Sequence, residues 1–298
     1  MPHIAAPAGE VVAQSAGAAA GRIAASLLQR ADQAAHRMPD QGDPEALHDF
    51  RTALRRLRVT LRFYRDALGN AASKDIRRGL KALTRQTNAG RDAEVWALWL
   101  RSRAAKSRAD FRIELEGRAA RLEAERDKAY RDIAGRALRA FDKIRSELHG
   151  RLSRVPAAGG AEPFRRAASA AIKDAAAELR RRFHRLKKSD DERDFHIVRI
   201  RGKRLRYLLE PFAGGDVRAG KLIADLKRLQ EHLGELHDMH GLIQAGGPHA
   251  GRLARERSRR LERSVRRHWL RSRHKRLAKD AWEFGKSLKK SSREFWRV

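Results

Sequence analysis

From Leu47 onward the apolar residues fall at Leu47, Phe50, Leu54, Leu57, Leu61, Tyr64 and Leu68, in steps of 3, 4, 3, 4, 3 and 4. That spacing keeps them on one face of an α-helix. Asp43-Pro44 suits the start of this helix, with Asp at the N-cap and Pro at the first helical position, and Gly69-Asn70 suits its end. A second stripe, Phe195, Val198, Gly202, Leu205, Leu209 and Phe212, steps by 3, 4, 3, 4 and 3 in a helix from Asp194, and Gly214-Gly215 ends it. No segment alternates like a strand, and Pro is scarce. The pattern therefore predicts helices throughout.

Other helices are expected over Glu10–Met38, Lys74–Thr87 and a segment carrying Val95, Trp96 and Trp99. From Ala104 to Val155 runs a long charged helical stretch that could fold back as an antiparallel pair. Pro156–Pro163, with Gly159-Gly160 inside, reads as a linker. Helices then follow over Phe164–Lys188, Val217–Leu233 and Leu236–Gln244. Gly246-Gly247-Pro248 precedes a basic region from Arg252 to Val298 with 18 Lys+Arg against 5 Asp+Glu. That region either completes the second half, with Trp269 and Trp282 packing, or carries a disordered end. The expected division is a lead-in over 1–9, a first half over 10–155, a linker over 156–163 and a second half over 164–298. The tryptophans are expected in the core or along helix seams.

The polar positions repeat as well. His48 is followed 3, 7, 8 and 10 residues later by Arg51, Arg55, Arg56 and Arg58. His196, 148 residues further on, is followed at the same spacings by Arg199, Lys203, Arg204 and Arg206. A second block, Leu80-Lys81-Ala82-Leu83 with Gly90-Arg91-Asp92, is matched 146 residues later by Leu226-Lys227-Arg228-Leu229 with Leu236-His237-Asp238. Two blocks in one order at nearly one offset imply a duplicated unit of domain size. The strip 48, 51, 55, 58 and 62 lies one residue after the apolar stripe, about 100° around the helix. It flanks the core seam, where cations can line a groove between helices. Arginine and lysine stems often cover a core from such positions. The repetition, and the scarcity of acids (Asp49 and Asp66 alone between Leu47 and Leu68), favour a binding surface. From Arg51 to Arg62 the strip is roughly 16 Å long.

Composition sharpens this. Lys+Arg number 68 and Asp+Glu 37 in 298 residues, a formal charge of +31. Such a chain repels itself unless a polyanion is near: nucleic acid, an anionic membrane surface or a polymeric phosphate. The excess of Arg over Lys favours forked phosphate contacts. Mean hydropathy is −0.70 with 35% charged residues, yet the regular stripes argue against disorder. There is no cysteine, which excludes disulfides, thiolate metal sites and cysteine nucleophiles. Without a secretory start or an apolar run of about 18 residues, a cytoplasmic protein with no membrane association is expected.

Catalytic motifs are weak. His232, His237 and His240 have permissive metal spacing, but the first repeat has Arg91, Asp92 and Glu94 there, so no metal is expected and the aspartate reads as a helix-start or salt-bridge residue. Glu114-Leu115-Glu116 would need a strand to present both acids to a metal, and it reads as helix. No nucleophile elbow or phosphate-cradling glycine loop is evident. The chain is expected to be a non-enzyme without cofactor or metal.

At the His48–Tyr64 and His196–Phe212 helices, and again at Leu80–Asp92 and Leu226–Asp238, the chain resembles the CHAD family, the conserved histidine α-helical domain. The resemblance covers roughly Glu10 to Trp282. It implies an all-α fold of two pseudo-symmetric four-helix halves, related by internal duplication, with a basic central cavity or channel. It also implies binding of inorganic polyphosphate and association with polyphosphate granules. Candidate binding residues are His48, Arg51, Arg55, Arg56, Arg58, Arg62, Lys81, Arg85, His196, Arg199, Lys203, Arg204, Arg206 and Lys227. Glu210 stands where Arg62 does, and Gly202 where Leu54 does, so the second strip should be shorter. The alternative is nonspecific nucleic-acid binding by the same cations, against which stand the lack of interleaved aromatics and of Asn or Gln for base edges. An enzyme acting on phosphate polymers is the third and weakest reading.

Overall fold

The two apolar stripes become buried helix faces. Leu47, Phe50, Leu54, Leu57 and Leu61 are completely buried, as are Val198, Leu205 and Leu209. Each such leucine contributes about 1.5–3 kcal/mol relative to exposure. The structure, a computed structural model, describes residues 14–38, 43, 45–156, 162–189 and 191–290, and among them every element is helical. The lead-in at 1–9, the glycines of the linker and residues 291–298 lie outside the described residues.

Helix α1 spans Ala16–Arg37 and α2 Glu45–Phe63; α3 (Lys74–Gln86), α4 (Asn88–Ala104), α5 (Ala109–Asp132) and α6 (Leu138–Leu152) follow. The later part comprises α7 (Phe164–Leu186), α8 (Glu192–Leu209), α9 (Val217–Ala245), α10 (Gly247–Val265) and α11 (His274–Lys290). The caps are local in origin. Ser15 accepts the Ala18 N–H at 3.2 Å, Asp43 takes those of Glu45 and Ala46, and Asp191 takes that of Arg193. Gly247 turns the chain into α10 at φ +79°, a conformation that favours glycine.

The structure corrects the element boundaries in four places. Helix α1 starts at its Ser15 cap, and the expected start at Glu10 lies outside the described residues. Helix α2 ends at Phe63, because the backbone bends at Tyr64 and resumes as a short turn over Arg65–Leu68 and a 3₁₀ segment over Gly69–Ala72. The bend seats the Tyr64 ring 5.2 Å from Phe164. The charged stretch after Ala104 does not fold back. Helices α5 and α6 are one rod, continued through a π-helical turn at Ile133–Ala137. No proline interrupts it, and a π-turn absorbs a change of face without breaking the helix. Helix α9 runs unbroken through Gly234, so the two helices expected from Val217 to Gln244 are one. The basic C-terminal region is likewise a rod, α10 and α11 joined by a π-helical turn at Arg266–Arg273, with Trp269 buried.

Packing follows a pattern. In the first part α1 packs on α2, α2 on α3, α4 on α5, and α6 on α1 and α3. In the second, α7 packs on α8, α8 on α9, α10 on α9, and α11 on α7 and α9. Between the parts α1 meets α7, α2 meets α8, α4 meets α9 and α5 meets α10. The starts of α1 and α7 are also tied by the Ala16 N–H donating to Glu162 O at 2.8 Å and the Phe164 N–H to Gln14 O at 2.9 Å. The α4–α9 contact is close: a Cβ at Gly241 would overlap the Trp96 indole.

Gly241→Ala should therefore destabilise the protein by about 1–3 kcal/mol through overpacking. Urea unfolding would measure it, and Trp96→Leu in the same chain should recover part of the loss. Equal stability of Gly241→Ala and the parent would contradict the close approach of α4 to α9.

Candidate functional site

Because α2 packs against α8, the two basic strips face one space. That space is a cleft of about 620 Å³. Helix α2 lines it with His48, Arg51, Arg55, Arg58 and Arg62, and α8 with His196, Arg199, Lys203, Arg204 and Tyr207. Helix α3 adds Lys74, Arg77, Arg78 and Lys81, α4 adds Asn88, Arg91 and Asp92, and α9 adds His237 and Asp238. Twelve arginines and lysines thus face two carboxylates.

Ten of the fourteen candidate residues line this cleft; Arg56, Arg85, Arg206 and Lys227 do not. Arg85 and Lys227 point outward as exposed side chains. Arg56 and Arg206 are turned aside by one carboxylate. Arg56 Nε lies 3.0 Å from Glu210 Oε2, and Arg206 Nη1 donates to Glu210 Oε1 at 2.8 Å. Both guanidinium groups also lie against the Tyr207 ring, at 5.5 and 4.8 Å. Arg206 Nε donates to Gln230 Oε1 at 3.0 Å. Glu210 therefore does more than shorten the second strip: it bolts α8 to α2. The repeat is broken at these positions, with Arg58 in the cleft where its counterpart Arg206 is not, and Arg204 in the cleft where Arg56 is not.

The cleft cations differ in freedom. Arg51 is fixed, donating to Thr87 Oγ1 at 2.8 Å and Asn88 Oδ1 at 2.9 Å, and burial brings its pKa down to about 10. Arg55, Arg58, Arg62, Arg199, Lys203 and Arg204 form no ion pair among the described residues. The Arg199 Nε is buried without a hydrogen-bond partner, beside the space that Gly234 leaves open. Burial, reinforced by Arg199, Arg55 and Arg206, pushes Lys203 down to about 6. Burial, reinforced by Arg199, His196 and Lys203, holds His237 at about 3, and His48 and His196 also lie below the ordinary imidazole value. The rings of His196 and His237 lie 4.7 Å apart. Burial raises Asp238 to about 6 and also lifts Asp92, against the pull of the surrounding arginines.

Sequence reasoning missed several lining residues. Lys74, Arg77 and Arg78 share one face of α3 with the candidate Lys81, by the same periodicity that exposed the α2 strip. Asp92 and Asp238 were visible as a repeated pair. Asp238 is not at a helix start and forms no salt bridge among the described residues: it sits deep within α9, facing the cleft. The three histidines near it diverge. His237 enters the cleft, His240 lies between Glu192 and Glu262, and His232 contacts the Arg228 carbonyl.

Fold and site define a class, a helical protein organised around a cation-lined cleft with few internal counter-charges. The chain belongs to the CHAD domain family, whose sequence profile matches residues 19–245. Among solved structures it is similar to the crystal structure of the CHAD domain from the plant Ricinus communis, at 20% identity and a TM-score of 0.66, covering 90% of this chain and 92% of that one. It is also similar to PptA from Streptomyces chartreusis, at 17% identity and a TM-score of 0.55, covering 92% and 99%. No curated protein matches the chain. Among the described residues no helix is long and apolar enough to cross a membrane.

Glu210→Gln should leave Arg56 and Arg206 facing each other with no anion between them. The expected cost is about 2–3 kcal/mol in urea unfolding at low salt, shrinking as added salt screens the repulsion. A variant as stable as the parent at every salt concentration would show that the carboxylate does not brace α2 and α8.

Proposed function

We propose that the cleft binds inorganic polyphosphate without transforming it, and that the protein serves to target or organise polyphosphate granules in the cytoplasm. The observation that carries this reading is the set of five cleft arginines on α2 and α8, Arg55, Arg58, Arg62, Arg199 and Arg204, that form no ion pair among the described residues. Holding them together without counter-anions costs free energy, which an entering polyanion returns as binding. Polyphosphate is flexible, densely charged and featureless, so it needs many cations in a groove and no base readout. Membership of the CHAD family supports the same ligand.

The pairing of α1 with α7, α2 with α8, α4 with α9 and α5 with α10 supports an internal duplication. These four helices meet their counterparts, as in a two-fold interface where one patch meets its own copy. On this reading the cavity is central because it lies on the pseudo-two-fold axis, and its halves contribute unequally. A polymer that reads alike from either end suits such a site. Nucleic acid is the weaker alternative: among the described residues Tyr207 is the one Phe, Tyr or Trp side chain lining the cleft, and the two guanidinium groups beside it cover its ring.

Replacing Arg55, Arg58 and Arg199 by Gln should weaken long-chain polyphosphate binding by about tenfold or more and flatten its salt dependence. The same variant should resist urea better than the parent, since the change relieves repulsion. Unchanged affinity in a folded variant would refute the assignment, and displacement of bound polyphosphate by DNA at equal phosphate would favour the nucleic-acid alternative.

Binding should also take up protons. A polyanion favours protonated Lys203 and Asp238, whose pKa values in the empty cleft are about 6, and so raises both in the complex. Affinity should then fall as pH rises from about 6 to about 8, and be strongest at the acid end. Lys203→Met should flatten that slope, and pH-independent affinity in the parent would contradict the protonation states described for the cleft.

A further inference from the structure

Arg62 of α2 and Arg204 of α8 both line the cleft. The same two side chains line a second hollow, of about 340 Å³, on the shoulder formed by α7 and α8. The other residues of this shelf include Arg181, Arg201, Asp174 and Glu178. Glu178 is committed: its carboxylate is shared by Arg181 at 2.7 Å, Arg182 at 2.7 Å and Arg201 at 3.2 Å. One carboxylate divided among three guanidinium groups leaves the shelf positive. Arg62 and Arg204 carry no ion pair among the described residues and stand at the junction of the two spaces.

We infer that the shelf is a second anion subsite, which receives the part of a phosphate polymer that overhangs the cleft. This rests on the polyphosphate reading of the cleft. The strip on α2 is roughly 16 Å long, so a short oligomer is held within it while a longer chain must emerge. It emerges past Arg62 and Arg204 onto Arg181 and Arg201. The shelf alone is a weak site, because Asp174 and Glu178 oppose it. Joined to the cleft it acts at high effective concentration, since the polymer is already held at its mouth. The subsite therefore makes affinity depend on chain length.

The test compares tripolyphosphate with long-chain polyphosphate on the full chain. Arg181→Glu inverts a side chain that lies outside the cleft and is 68% exposed. It should leave tripolyphosphate affinity within about twofold and weaken the long polymer about fivefold to tenfold. Asp174→Lys removes an opposing charge and should tighten the long polymer alone, so the inference can be tested even if Arg181→Glu disturbs the fold. Lys106→Glu, an equal change of net charge on the exposed turn between α4 and α5, controls for long-range electrostatics. The subsite is overturned if Arg181→Glu shifts both ligands by one ratio, or weakens the long polymer no more than Lys106→Glu does, or if Asp174→Lys has no effect. Should the parent bind neither ligand, the polyphosphate reading of the cleft fails and takes the subsite with it. Parent binding with length-independent variant ratios removes the subsite alone.

Discussion

One carboxylate holds two cationic helices together. Helices α2 and α8 each carry a row of guanidinium and ammonium groups, and like charges in a shared low-dielectric space repel strongly. Glu210 answers this at a single point by taking Arg56 from one helix and Arg206 from the other, with Tyr207 beneath both. The apolar faces of the same helices supply the attraction. Leu47, Leu54, Leu57, Leu205 and Leu209 are fully buried within a rotation of about 100° from the cations. The cleft persists because hydrophobic burial on one side of each helix outweighs electrostatic repulsion on the adjacent side.

The same closeness sets the chemistry of the empty cleft. Buried charge is partly surrendered: burial, reinforced by neighbouring cations, takes Lys203 to about 6 and His237 to about 3, and burial lifts Asp238 to about 6 against the pull of those cations. Arginine resists deprotonation far better than lysine, so Arg55, Arg58, Arg199 and Arg204 remain charged without partners. The preference for arginine therefore has a second basis beyond forked phosphate geometry, since a lysine-lined cleft would discharge itself. Repulsion held in the empty site and affinity for a polyanion are two aspects of one arrangement.

Two rods frame this arrangement. Helices α5 and α6, and again α10 and α11, run through a π-helical turn and pack at their two ends against different neighbours. Helix α5 rests on α4 while α6 rests on α1 and α3, so one continuous helix spans the first part of the chain. Helices α10 and α11 do the same on α9 and α7. The positions of α3 and α4, which bring Lys74, Arg77, Arg78, Lys81 and Arg91 to the cleft, are fixed by that support.

Local pattern alone determined much of this protein. The 3–4 spacing of leucines dictated α2 and α8 and which face each would bury, because side-chain direction on a helix follows from position. The groups one residue out of phase had to flank that face, so eight of the cleft residues, His48, Arg51, Arg55, Arg58, Arg62, His196, Arg199 and Lys203, were legible from that phase before any coordinates. Tertiary structure decided the rest. Whether the stretch after Ala104 turns back or runs on depends on what its two ends pack against, and no residue inside it records that. Arg56 and Arg206 look like strip members by spacing, yet Glu210 claims both, because the α2–α8 contact brings an acid from one helix within 3.0 Å of an arginine on the other. Asp92 and Asp238 read as ordinary polar positions until α4 and α9 bring them to the same cleft. Periodicity is a property of one helix, whereas pairing, burial and shifted proton affinities belong to the space between helices, and only the packed chain defines that space.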